Sequence, residues 1–167
     1  MSKSPPHAIS DLVARLATTL LASKLVLSTA ESCTGGWISQ SLTALAGSSA
    51  WFDTGFITYS NAAKQRLLGV PAALFEPGAP GAVSEEVVRA MTAGAIANSE
   101  AELAVAVSGI AGPDGGSREK PVGTVWIAWQ WHDQTLARRF QFAGDREEVR
   151  HAAVVAALEG CLLLVAK

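Results

Sequence analysis

The sequence predicts an α/β domain built on a mixed, partly parallel sheet of about five strands. Three observations predict it. Segments with apolar residues at helical spacing alternate with short apolar or β-branched runs along most of the chain. The early runs are joined by crossover connections, which favour parallel neighbours. The last two runs are separated only by His132, Asp133 and Gln134, as in an antiparallel hairpin.

Each element follows in order. Ile9, Leu12, Val13, Leu16 and Leu20 recur at helical spacing after Pro5 and Pro6, so a helix follows residues 1–7, which read as a loose tail. Leu25, Val26 and Leu27 read as a short buried strand, broken by residues 31–36. Trp37, Ile38, Ser41, Leu42 and Leu45 mark a second helix, with Gly47 as its C-terminal cap. Residues 51–59 are rich in aromatic and β-branched side chains and read as a second strand. A short helix spans residues 61–68 and is stopped by Gly69 and Pro71. Residues 71–82 are rich in proline and glycine and read as a loop. Ser84 then caps a helix whose first turn carries Glu85 and Glu86, favourable at the positive end of the helix dipole.

Residues 103–107 form a third buried strand, and residues 109–117 are too glycine-rich for regular structure. Residues 124–131 and 135–142 make the hairpin. Trp129 and Trp131 share one face of it and Trp126 takes the other. Asp145 and Glu148 form a capping box for the last helix, whose inner face carries Val149, Ala153, Ala156, Gly160 and Leu163. No repeat or linker interrupts the 167 residues, which read as one domain.

Composition narrows the function. A net charge of -2 gives no electrostatic drive toward nucleic acid or an acidic membrane. Two cysteines, Cys33 and Cys161, make neither a disulfide framework nor a zinc site. No run reaches the ~18 apolar residues of a membrane span, and the N-terminus lacks a signal-peptide core. A reducing cytoplasm is the expected compartment. No metal or cofactor is expected.

Four places could carry chemistry. Ser32 sits where a strand turns into a helix, with Thr34, Gly35 and Gly36 behind it, so free backbone N–H groups could face an oxyanion or a phosphate. Capping the helix is the more common use of such a Ser or Thr. Cys33 is a rival nucleophile or a small buried hydrophobe. Tyr59 ends a strand and Lys64 lies about one turn into the next helix, so both could reach the same sheet edge. A desolvated lysine can serve a serine as base, and His7, His132 and His151 are all badly placed for it. A surface lysine and a core tyrosine are the alternatives. The loop from Gly109 to Ser117 follows a buried strand and could form an anion-binding nest, or be only a mobile connection. Arg146 stands in the first turn of the last helix, against the dipole, which suits a residue gripping a phosphate or one answered by Asp145 or Glu147.

Taken together, these segments resemble the CinA C-terminal domain family. The likeness rests on residues 28–36 (Ser-Thr-Ala-Glu-Ser-Cys-Thr-Gly-Gly), 55–61 with Lys64 following, 81–85, 108–113 and 120–125, in that order. It spans nearly the whole chain from Leu12 onward. The resemblance implies a three-layer α/β/α sandwich with a mixed five-stranded sheet. It also implies a stand-alone nicotinamide-nucleotide amidase, which hydrolyses nicotinamide mononucleotide to nicotinate mononucleotide and ammonia. Ser32 matches the family's nucleophile, and Tyr59 and Lys64 its catalytic partners. Thr34, Gly35, Gly36, Ser108, Gly109, Gly112 and Arg146 are the expected substrate-binding residues. Ser108, Asp114 and Pro80 depart from the expected Thr, Gly and His. A homodimer or higher homo-oligomer is the expected assembly.

Overall fold

The computed structural model describes residues 7–166. In chain order the elements are α1 (His7–Ser23), β1 (Leu27–Glu31), α2 (Trp37–Thr43), β2 (Phe52–Ile57), α3 (Asn61–Leu68), α4 (Glu85–Ala97), β3 (Leu103–Gly109), β4 (Thr124–Trp131), β5 (Gln134–Gln141) and α5 (Arg146–Val165). Residues 1–6 of the expected tail lie outside the described residues, and His7 already opens α1.

The five strands form one sheet in the order β2-β1-β3-β4-β5. β1 runs parallel to both β2 and β3, while β4 is antiparallel to β3 and to β5. The sheet is therefore mixed, and helices cover both faces. Strand alternation assigns the side chains to these faces. Leu103, Val105 and Val107 join Val125, Ile127 and Trp129 beneath α1, α2 and α5. Ala104, Ala106 and Ala128 meet Val87, Val88 and Met91 of α4 on the other face. The small alanines let α4 lie close to the sheet.

Trp129 is buried on the α5 side and its indole N–H donates to Ala157 O at 2.8 Å. Trp131 packs on that side too, and Trp126 on the α4 side, so the tryptophan faces agree with the hairpin register. The caps read from the sequence are present. Ser84 Oγ accepts from Val87 N, and Asp145 and Glu148 form a complete capping box.

Three expectations are corrected. Leu163 is not on the inner face of α5 but 67% exposed, and Cys161 and Leu164 take the buried positions there. β1 is not Leu25–Leu27 but Leu27–Glu31, made largely of Ser28, Thr29 and Glu31, all fully buried. Hydrogen bonds make that burial tolerable. Thr54 N donates to Ser28 Oγ, and Thr29 Oγ1 and Ser39 Oγ lie 2.8 Å apart. Gly47 does not cap α2, which ends at Thr43 with Ala44 as its cap. Gly47 instead takes φ 85° and leads a 3-10 turn at Ser48–Ala50. A second 3-10 turn, Ala72–Phe75, lies within the expected loop.

Candidate active site

The C-terminal ends of β1, β2 and β3 converge, as the parallel part of the sheet requires. Ser32 is the first residue past β1. Its N–H donates to Val107 O at 3.0 Å, which ties the start of the turn to β3. On the other side Thr58 N donates to Glu31 O at 2.9 Å, tying the end of β2 to β1. Ser60 caps α3 by accepting from Ala63 N, and this start directs Lys64, one turn in, back under the sheet edge.

Lys64 is 1% exposed. Its Nζ lies 2.9 Å from Ser32 Oγ, 2.7 Å from Thr58 O and 3.1 Å from Tyr59 O. Among the described residues no carboxylate forms an ion pair with it. Burial pulls its pKa down from 10.5 to about 8, so roughly a tenth of the amine is neutral at about pH 7, far more than for a free lysine. The neutral amine has two hydrogens and one lone pair. Two carbonyl oxygens can take the hydrogens, which leaves the lone pair for the Ser32 hydroxyl proton.

A cavity of about 270 Å³ opens over this pair. Ser32, Tyr59, Lys64, Ser108, Gly109, Gly112 and Arg146 all line it, together with Cys33 and Asp114. Tyr59 is exposed, and its phenol oxygen accepts from Arg146 at 3.3 Å. Arg146 also donates to Gly112 O at 2.7 Å, which links α5 to the glycine loop. The Ser108 hydroxyl is turned to Ala82 O, 2.7 Å away. Gly109 has no room for a side chain, because a Cβ would stand 2.6 Å from Val125 Cγ2 and 2.9 Å from Thr124 O. Cys33 is buried and its thiol is pushed up to about 12 by that burial, too high for a thiolate nucleophile near neutral pH.

Thr34, Gly35 and Gly36 do not line the cavity. The Thr34 hydroxyl turns inward and donates to Glu31 Oε1 at 2.7 Å. The Gly35 N–H is taken by Ser32 O at 3.0 Å. Gly36 adopts φ 99°, which a side chain would resist, and precedes α2 as its N-cap.

Two residues at this site were not singled out from the sequence. Glu31 is fully buried and accepts four hydrogen bonds, from Thr34 Oγ1, Ile38 N, Ser39 N and Ser39 Oγ. It neutralises the N-terminal N–H groups of α2. Arg150 donates to Cys33 O at 3.0 Å and Thr34 O at 3.1 Å. Glu31 stood inside a quoted motif, whereas nothing local marked Arg150. A larger groove of about 670 Å³, between α5 and β5, contains none of the candidate residues. Among the described residues no group of three or more His, Cys, Asp or Glu is placed to hold a metal ion.

Fold and site together define an α/β protein with a buried serine–lysine pair beneath a cavity at the carboxyl edge of its parallel strands. The chain belongs to the CinA C-terminal domain family, whose model matches residues 9–165. It is 56% identical over 156 residues to the nicotinamide-nucleotide amidohydrolase PncC of Pseudomonas putida, covering 93% of this chain and 96% of that one. Identity to the Escherichia coli K12 protein of the same name is 48%, covering 90% and 91% of the two chains. Among solved structures, the competence/damage inducible protein CihA from Agrobacterium tumefaciens superposes with a TM-score of 0.91 at 44% identity, covering both chains fully. A CinA superfamily protein from Klebsiella pneumoniae gives 0.90 at 40% identity, covering 95% of this chain and 98% of the other.

Proposed function

We propose that this chain is a nicotinamide-nucleotide amidase, hydrolysing nicotinamide mononucleotide to nicotinate mononucleotide and ammonia through a serine–lysine covalent mechanism. The observation that carries it is the 2.9 Å contact between Lys64 Nζ and Ser32 Oγ at the foot of the cavity. The high identity to proteins named for this activity supports the substrate.

The steps follow from the geometry. Neutral Lys64 takes the Ser32 proton as Oγ attacks the carboxamide carbon, and the resulting ammonium is held by the Thr58 and Tyr59 carbonyls. The proton passes from Lys64 to the departing nitrogen, the C–N bond breaks and ammonia leaves. Water then attacks the acyl ester, giving its proton to Lys64, and the released Ser32 oxygen takes that proton back. The oxyanion falls to backbone N–H groups of the turn after Ser32. Gly35 is not one of them, since Ser32 O already holds it. The Cys33 N–H, on the cavity-lining residue directly after the nucleophile, is the donor assigned to this role. Tyr59 and Arg146 form the wall at which the nucleotide's phosphate is read.

The test is to incubate the pure protein with nicotinamide mononucleotide and measure ammonia. Stoichiometric ammonia and nicotinate mononucleotide establish the activity. Binding with no ammonia at any pH identifies a nucleotide-binding module that has kept the pocket. We infer a cytoplasmic protein that forms a homodimer or higher homo-oligomer. No helix of the described residues is long and apolar enough to cross a membrane. Light scattering that returned only monomer mass at micromolar concentration would remove the oligomer.

A further inference from the structure

The turn that carries Ser32 is held from two sides. From within, the buried Glu31 carboxylate holds the Thr34 hydroxyl at 2.7 Å and the first N–H groups of α2. From outside, a single guanidinium spans the turn, with Arg150 Nε on Cys33 O and its terminal nitrogen on Thr34 O. The Arg150 Cζ also lies 5.5 Å from the centre of the Trp37 ring, a cation–π contact that fixes the fork's plane. A side chain at position 35 would crowd the same guanidinium, since a Cβ there stands 3.3 Å from Arg150 Nη2.

Arg150 comes from the same helix as Arg146, four residues on. Like charges at this spacing weaken a helix slightly, so helix stability does not account for the pair. Their contacts do. Arg146 reaches Gly112 O and the Tyr59 phenol on the cavity wall, while Arg150 reaches the two carbonyls after Ser32. One rigid helical turn thus sets the distance between the cavity wall and the nucleophile's turn.

We propose that Arg150 is a positioning residue, which holds the turn at Cys33 and Thr34 so that the Ser32 hydroxyl stays aimed at Lys64. Arg150 does not line the cavity, so it acts through this turn and not on the substrate. The inference rests on Ser32 being the nucleophile, as proposed above. It does not depend on which amide is hydrolysed.

The test uses an alkyl fluorophosphonate, which needs only an activated serine. Ser32 Oγ attacks phosphorus, the P–F bond breaks, fluoride leaves and Lys64 takes the proton. Labelling rates are compared for wild type, Arg150→Lys and Arg150→Gln, each per folded molecule by near-UV circular dichroism. Lysine cannot span two carbonyls as a planar fork does. Loss of charged hydrogen bonds at this turn should slow both labelling and kcat about 10- to 100-fold. KM for nicotinamide mononucleotide should stay within about twofold, and the pH midpoint set by Lys64 should not move. Lysine should recover more of the rate than glutamine. Labelling at the wild-type rate, or a change confined to KM, overturns the positioning role. So does loss of the folded signal in both variants, which would make Arg150 a structural residue only. Wild type that is not labelled at Ser32 overturns the nucleophile assignment along with it.

Discussion

Lys64 Nζ and Ser32 Oγ lie 2.9 Å apart, and the lysine's remaining partners are neutral backbone carbonyls. That relationship suits the amine to the role of base proposed for it. A neighbouring carboxylate would hold the proton on lysine, whereas burial among neutral dipoles releases it.

Activity should therefore rise with pH and level off above about 8, where burial places Lys64. Lys64→Arg should be inactive, because guanidinium stays protonated. The same titration enters stability. Between about 8 and 10.5 the folded chain binds fewer protons at this position than the unfolded chain, so this group makes stability rise with pH across that window. Below about 8 both states hold the proton and the slope from this group vanishes. An active arginine variant, or a pH–rate profile flat from 6 to 10 as a check on roughly that window, would remove Lys64 from the role of base.

Ser32→Ala should abolish ammonia release, by several powers of ten if the nucleophile is lost. Cys33→Ala should keep much of the activity, since the buried Cys33 thiol is pushed up to about 12. Steady-state ammonia assays on the two variants decide between them. A dead cysteine variant beside a live serine variant reverses the assignment.

Arg146→Ala should lose roughly 10- to 150-fold in kcat/KM with the mononucleotide, the worth of one charge-assisted bond. It should lose far less with nicotinamide riboside, which has no phosphate. Equal losses on both substrates would mean that Arg146 acts by holding Tyr59 and Gly112 in place.

Glycine substitutions in two helices should act against ordinary propensity. In an exposed helix, Gly→Ala stabilises by about 1 kcal/mol. At Gly94 a Cβ would overlap Leu68 O at the end of α3, and at Gly160 it would overlap the Trp129 ring. Both alanine variants should instead lose about 1–3 kcal/mol by overpacking, measured by urea unfolding. Gly94→Ala should be the worse, because it meets backbone, which cannot rotate away. A stabilised Gly94→Ala variant would show that α3 and α4 can separate freely.

Legibility in the sequence varied with the kind of signal. Apolar periodicity and caps located α3, α4, α5 and the hairpin closely, because Ser84, Asp145 and Gly69 act on their own neighbours. β1 was misplaced because its burial is polar, satisfied by Ser39 and α2 rather than by hydrophobic contact. The motif resemblance pointed to Ser32, Tyr59, Lys64 and Arg146, which the fold brings around one cavity. It also pointed to Thr34, Gly35 and Gly36, which shape the turn and leave the cavity to others. Arg150 was invisible, since its partners Cys33 and Thr34 are remote in sequence and a lone arginine in a helix has no local mark.

The strand order has a consequence for how the molecule assembles. β4 and β5 pair across a two-residue turn, with Trp131 opposite Gln134, and such hairpins close in about 1–10 μs. β1 must find β3 across a long stretch of chain that holds α2, β2, α3 and α4, with Leu27 opposite Leu103. Loop-closure entropy delays that pairing. Ser32 sits on this late seam, its N–H on Val107 O and its turn clasped by the last helix. The Ser32–Lys64 pair should therefore gain its full geometry only after β1 has met β3, and refolding experiments should see the hairpin's circular dichroism return before phosphonate reactivity.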